Sequence, residues 1–114
     1  MNRRQIKSKN LSDFSSKVLV AVKKIPKGKV TTYKFLAQGI GCPAAARAVG
    51  SALNKNPALI KIPCHRVVKS NGLIGNYRLG KRKKIFLLRR EGIKIVGDRI
   101  ENFRKILYRF KNKY

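Results

Sequence analysis

The sequence predicts a mainly α-helical domain with a few short strands, organised around a helix-turn-helix. Three observations carry this expectation. Apolar residues recur at helical spacing in several stretches bounded by Gly or Pro. Two of those stretches, residues 33–40 and 43–53, are joined by a tight turn containing Gly41. The extended candidates between the helices are all short. A chain of 114 residues suits one domain with one modest core. With 43% apolar residues it is too hydrophobic to be a wholly disordered polycation.

Residues 1–11 read as a basic arm carrying Arg3, Arg4, Lys7 and Lys9. Ser12 is placed to cap a helix over 13–25, with Phe14, Val18, Ala21, Val22 and Ile25 on one face. Pro26-Lys-Gly28 ends it, and residues 29–32 look extended. Thr32 is a second N-cap candidate, for the helix over 33–40. Pro43 suits the first turn of the third helix, whose apolar face is Ala45, Ala48, Val49, Ala52 and Leu53. Residues 54–57 end that helix, and 58–62 read as extended. Ser70-Asn-Gly72 is a turn signal, and residues 73–77 form a small wing or loop. A helix over 81–91 stops at Gly92 and is followed by a strand over 93–96. Asp98 is read as the cap of a last helix with Ile100, Phe103, Leu107 and Phe110 on one face. The chain thus divides into a basic arm (1–11), a central domain (12–96) and a basic C-terminal helix (97–114).

Charge narrows the class of partner. Lys and Arg number 29 against 4 acids, a formal charge of +25. Such a body repels itself, and a polyanion relieves that repulsion. The basic residues thicken in the arm, in 78–90 and in 99–113. Nucleic acid is therefore the leading partner, through neutralisation of phosphates. A solvated cationic surface, or a membrane surface meeting the basic C-terminal helix, fits less well. The outer side of the third helix is mostly small, with Ala46 and Gly50, and Arg47 projects from it. That pattern suits close approach to a duplex with one reaching arginine. It equally suits an ordinary small-residue packing face. No apolar run is long enough to span a bilayer, and no signal-peptide core follows Met1, so a cytoplasmic protein without a membrane partner is expected.

The residues suited to covalent chemistry are few. Cys64 and His65, the sole histidine, are adjacent between Pro63 and Arg66. A thiol attacks as the thiolate, which positive surroundings favour. An acid is then needed to orient the imidazole. Glu91, at a helix end where the dipole disfavours a carboxylate, is the candidate. On spacing alone, Cys64 is equally a small core residue. A zinc site from Cys42, Cys64 and His65 lacks a fourth ligand, so no metal and no cofactor is expected. Two cysteines make no disulfide framework. A cysteine hydrolase would want an oxyanion hole and a distant His.

The string Asn56-Pro-Ala-Leu-Ile-Lys-Ile-Pro-Cys64-His-Arg-Val-Val68 resembles the active-site segment of the O6-alkylguanine-DNA alkyltransferases, the methylated-DNA–protein-cysteine methyltransferases. Further matches follow the same order: Ile25-Pro-Lys-Gly-Lys-Val-Thr-Thr-Tyr33, Ala45-Ala-Arg-Ala-Val-Gly50, Gly75-Asn-Tyr77 and Leu87-Leu-Arg-Arg-Glu-Gly92. Together they cover about residues 14–94.

The resemblance implies a winged-helix-like domain whose helix-turn-helix enters the minor groove of double-stranded DNA containing O6-alkylguanine. The damaged nucleotide is turned out, and its alkyl group passes irreversibly to Cys64, once per molecule. By the same resemblance His65 takes the thiol proton through a water, Glu91 orients His65, and Asn56 braces the turn carrying the thiol. Tyr33 donates to guanine N3. The carbonyls of Cys64 and Val67 accept from the exocyclic amine, and Arg47 fills the gap left by the base. Ala46, Gly50, Tyr77 and Arg78 complete the DNA- and substrate-binding set. Arg78 stands where relatives often have a small residue, so its side chain is expected to narrow the pocket or meet phosphate. The likeness further implies a monomeric catalytic domain without the N-terminal domain of many relatives. The competing function is a non-catalytic lesion sensor of the alkyltransferase-like type, which the retained Cys64 argues against.

Overall fold

The computed structural model describes residues 13–110. Three helices form the first half: α1 (Asp13–Val22), α2 (Tyr33–Gly39) and α3 (Ala46–Leu53). α1 buries Val18, Ala21 and Val22, which helical spacing assigns to one face, together with Leu19, which that face did not include; Phe14 is only partly buried. They close a core with Leu36 and Ala37 of α2 and with Val49, Ala52 and Leu53 of α3. Thr32 caps α2 as expected, its hydroxyl accepting from the Phe35 N–H at 2.9 Å. α2 and α3 form the helix-turn-helix, joined through Gly41, which takes φ +81°.

Strands β1 (Thr31–Thr32) and β2 (Val67–Val68) pair in parallel, with Thr31 opposite Val67 and Thr32 opposite Val68. This short pair links the two halves, because Val67 packs in the helical core and Val68 in a second one. That second core joins Val30, Val68 and Ile74 to Leu88 of α4 (Lys81–Arg90). Ile93, Ile95 and Ile100 complete it. A two-residue hairpin, β3 (Ile95–Val96) against β4 (Arg99–Ile100), covers its edge.

Several expectations are corrected. α1 ends three residues early, and Ile25 stays buried from the following turn. α3 begins at Ala46, after a turn in which Ala45 N–H donates to the Cys42 carbonyl at 2.9 Å. Ala48 faces solvent, and Ala46 packs on the core in its place. Residues 58–62 do not extend but close a tight turn, with Ile62 N–H on the Ala58 carbonyl at 2.9 Å and Ile60 at φ +77°.

The basic C-terminal helix is absent among the described residues. Gly97 (φ +63°) and Asn102 (φ +56°) take left-handed backbone, which breaks any helix through them. Asp98 consequently lies in the hairpin and pairs with Lys81 at 3.3 Å, exposed, rather than capping. A 3₁₀ turn at Phe103–Ile106 follows. The chain then runs extended past Val30, with Tyr108 N–H on the Val30 carbonyl at 2.6 Å and the Thr31 hydroxyl on the Tyr108 carbonyl at 2.9 Å. The basic arm (1–11), Ser12 and residues 111–114 lie outside the described residues.

This strap ends with Phe110 against the last residue of α2. A Cβ on Gly39 would stand 2.8 Å from Phe110 Cβ and Cγ. Gly39→Ala is therefore expected to unseat Phe110 and lower stability in urea unfolding by about 1–2 kcal/mol, as Phe110→Ala does alone. The double variant should lose little more than either single one, because the same contact is lost in all three.

Candidate active site

Cys64 opens a single 3₁₀ turn, Cys64–Arg66. Pro63 enters it with φ −79°, within the range its ring permits. Asn56, fully buried, fastens the loop before it. Its amide donates to the Ile62 carbonyl at 2.9 Å and to Cys64 Sγ at 2.7 Å, while its oxygen accepts from Ala58 N–H at 2.8 Å. Cys64 thereby forms part of the wall of an open cleft of about 480 Å³. Tyr33 of α2, Ala46, Arg47 and Gly50 of α3, and Tyr77 and Arg78 from the 73–80 loop line the same cleft. A Cβ on Gly50 would meet nothing within 4 Å, so the α3 wall is open there.

His65 lies behind this wall, 1% exposed. Its Nε2 is 2.9 Å from Glu91 Oε2. Arg66 grips the same carboxylate, Nε on Oε1 at 2.9 Å and Nη2 on Oε2 at 2.7 Å, and sends Nη1 to the Ile25 carbonyl at 2.7 Å. Burial works against the charge of Glu91, but its bonds to Arg66 and His65 prevail and hold it below its ordinary value. An ionised Glu91 can only accept, so it places the imidazole proton on Nε2. Nδ1, buried and without a hydrogen-bond partner in the structure, is left as the basic nitrogen. Burial lowers the His65 pKa, against the pull of Glu91, so the ring is neutral at neutral pH.

The thiol departs from expectation. Burial raises the Cys64 pKa above its ordinary value, and the opposing effects of the Asn56 bond, Lys84 and Arg78 do not overcome it. The positive surroundings are present but weaker than desolvation, so the resting group is the thiol. Burial, with the nearby Cys64 charge, likewise raises the phenols of Tyr33 and Tyr77. Arg78 is exposed and lines the cleft, and its Nη1 donates to the Asn54 carbonyl at 3.1 Å, bridging the loop and the end of α3.

Sequence reasoning missed two residues. Arg66, noted only as a neighbour of the pair, anchors Glu91. Lys84 is fully buried, with its ammonium on the Val67 carbonyl at 2.7 Å and the Asn76 carbonyl at 3.0 Å. It sits 5.9 Å from the Tyr33 ring centroid. Its signal was legible: Lys84 shares the helical stripe of Leu87 and Leu88, a lysine at a core position. Lys84 also engages the Val67 carbonyl expected to face the guanine amine, leaving that oxygen one lone pair. A Cβ on Gly75 would lie 3.4 Å from the Tyr33 hydroxyl and 3.7 Å from Lys84 Nζ. The loop is thus pressed against both groups.

Residues 13–93 match the family described as the 6-O-methylguanine DNA methyltransferase DNA-binding domain. The chain belongs to this family. Among curated members, a methylated-DNA–protein-cysteine methyltransferase of Saccharolobus islandicus is 52% identical over 72% of this chain and 52% of its own. The chain spans about half the length of most curated relatives it matches, and a third of one. Among family structures, Mycobacterium tuberculosis OGT in complex with DNA superposes with a TM-score of 0.68, at 43% identity, covering 70% of this chain and 50% of that one. S. pombe Atl1 in complex with damaged DNA containing O6-carboxymethylguanine superposes at 0.78, with 32% identity, covering 87% and 97%.

Burial lowers the Lys84 pKa to about 7. The unfolded chain then binds more protons than the folded one between that value and the ordinary lysine range, so stability rises with pH across this window. Lys84→Met should abolish the rise between pH about 7 and 10, read from denaturant midpoints at each pH.

Proposed function

We propose that this domain repairs O6-alkylguanine in double-stranded DNA by stoichiometric, irreversible transfer of the alkyl group to Cys64. One observation carries the reading. Cys64 shares a single cleft with α3 of the helix-turn-helix, while the adjacent imidazole of His65, neutral and oriented by a carboxylate, lies outside that lining. Nothing else in the described residues demands a histidine tied this way beside a buried thiol.

The steps follow from the chemistry. α3, small at Ala46 and Gly50, approaches the minor groove, and Arg47 occupies the space of the turned-out nucleotide. The extruded guanine enters the cleft between Tyr33 and the 73–80 loop. His65 Nδ1 takes the thiol proton through a water, and the thiolate forms its bond to the alkyl carbon as the bond to O6 breaks. Electron density moves onto the guanine ring, where the Tyr33 hydroxyl donates to N3. The Cys64 carbonyl and the free lone pair of the Val67 carbonyl accept from the exocyclic amine. Tyr77 borders the base and Arg78 holds the loop to α3. Donors aimed at the departing base matter most in the transition state, where its charge is largest. A saturated carbon needs no oxyanion hole, and no metal or cofactor enters the reaction. The product is a thioether with no route back, so each molecule acts once.

In this reading the domain acts as a monomer on DNA in the cytoplasm. No helix among the described residues is long and apolar enough to cross a membrane. A second reading, a lesion sensor without transfer, is favoured by the near-complete coverage of Atl1.

Weighing the protein after incubation with an oligonucleotide carrying O6-methylguanine separates the two. Transfer predicts a gain of one methyl, mapped to Cys64, with no further turnover; unchanged mass with DNA bound indicates the sensor. Arg47→Ala should slow transfer by about tenfold or more while weakening binding to undamaged duplex far less. Because the His65 pKa is lowered, the transfer rate should hold down to pH about 6.5 and decline only in more acid solution, as the base is protonated. A rate unchanged throughout the acid range would exclude His65 as the base.

A further inference from the structure

The outer face of α4 carries a feature that alkyl transfer does not use. Lys84, Leu87 and Leu88 turn inward, which leaves Phe86 on the outside with 51% of its surface exposed. It lies in an open groove of about 510 Å³ with Arg82, Arg89 and Arg90. None of the groove residues borders the Cys64 cleft. Lys83 and Arg90, one turn before and one turn after, hold their cationic groups 5.2 and 5.7 Å from the ring centroid. No acid lines the groove, and Asp98 near its end is paired with Lys81 at 3.3 Å.

We propose that this groove is a second nucleic-acid site, which takes an unpaired base on Phe86 and the adjoining phosphates on Arg82, Arg89 and Arg90. The chemistry selects single-stranded over duplex nucleic acid, because a stacked duplex offers no free base face to the ring. Aromatic stacking is tolerant of sequence and needs only a planar partner with cations for the backbone. An anionic membrane surface fits less well. It would call for protruding apolar residues, whereas this ring is set among guanidinium groups inside a groove.

The test is binding of labelled, undamaged oligothymidylate to the whole chain over a salt series, which requires no alkyl transfer and so stands apart from the repair reading. Phe86→Ala should lower affinity extrapolated to high salt by about tenfold while leaving the salt slope unchanged. Phe86→Leu keeps the apolar bulk and loses the planar face, so it should show the same loss; Phe86→Trp should retain binding. Arg82→Ala with Arg90→Ala should instead flatten the slope by about 1.4. The urea unfolding midpoint of the Phe86→Leu protein should stay at the wild-type value, confirming an intact fold. Wild-type oligonucleotide affinity in Phe86→Leu overturns the proposal. So does a loss confined to vesicles of phosphatidylglycerol, which would make the groove a membrane contact.

Discussion

The site depends on the environment of one carboxylate. Glu91 ends α4 in a chain with almost no acids, and it takes a bidentate grip from Arg66 and a bond from His65. Arg66 also reaches the Ile25 carbonyl just beyond α1. Three parts of the fold therefore meet at the Arg66 guanidinium: the end of α4, the cysteine turn and the exit of the first helix. The arginine does more than balance charge. By holding Glu91 ionised it forces the imidazole proton to Nε2, and that choice of tautomer leaves Nδ1 basic. Removing Arg66 would leave a largely buried carboxylate with one neutral partner, and its protonation would remove the charge that fixes the tautomer.

Much of this was legible in the sequence, for physical reasons. α1, α2 and α3 announced themselves because their buried residues repeat at helical spacing and Thr32 marks a start. Cys64, His65 and Glu91 stood out because single residues of their types are scarce in this chain. The C-terminal helix was misread because Ile100, Phe103, Leu107 and Phe110 do fall at helical spacing. The pattern ignores the left-handed backbone at Gly97 and Asn102, and what the segment gains by pairing with Val30 is non-local. Thiol acidity was misjudged for a related reason. Counting cations along a chain gives the sign of the field but not the depth of the sulfur, and depth wins here.

Lys84 shows the same competition between burial and charge from the other side. An ammonium on two carbonyls links α4 to β2 and to the loop that borders the cleft, while its positive end acts on the sulfur and lies near the Tyr33 ring. A hydrophobic residue would pack there at less expense in desolvation. The lysine instead gives the loop a polar anchor and the cleft a nearby cation, so it joins scaffold and reacting groups through one side chain.

The turn ahead of the cysteine adds a mechanical consequence. Ile60 is β-branched yet sits at φ +77°, half-exposed, between the two backbone anchors of Asn56. Such a residue resists that conformation, and only the surrounding bonds keep it there. The nucleophile is thus carried on a tensioned hoop, clamped at its waist by a single amide. Its aim is fixed by that clamp and not by the relaxed geometry of either neighbouring helix.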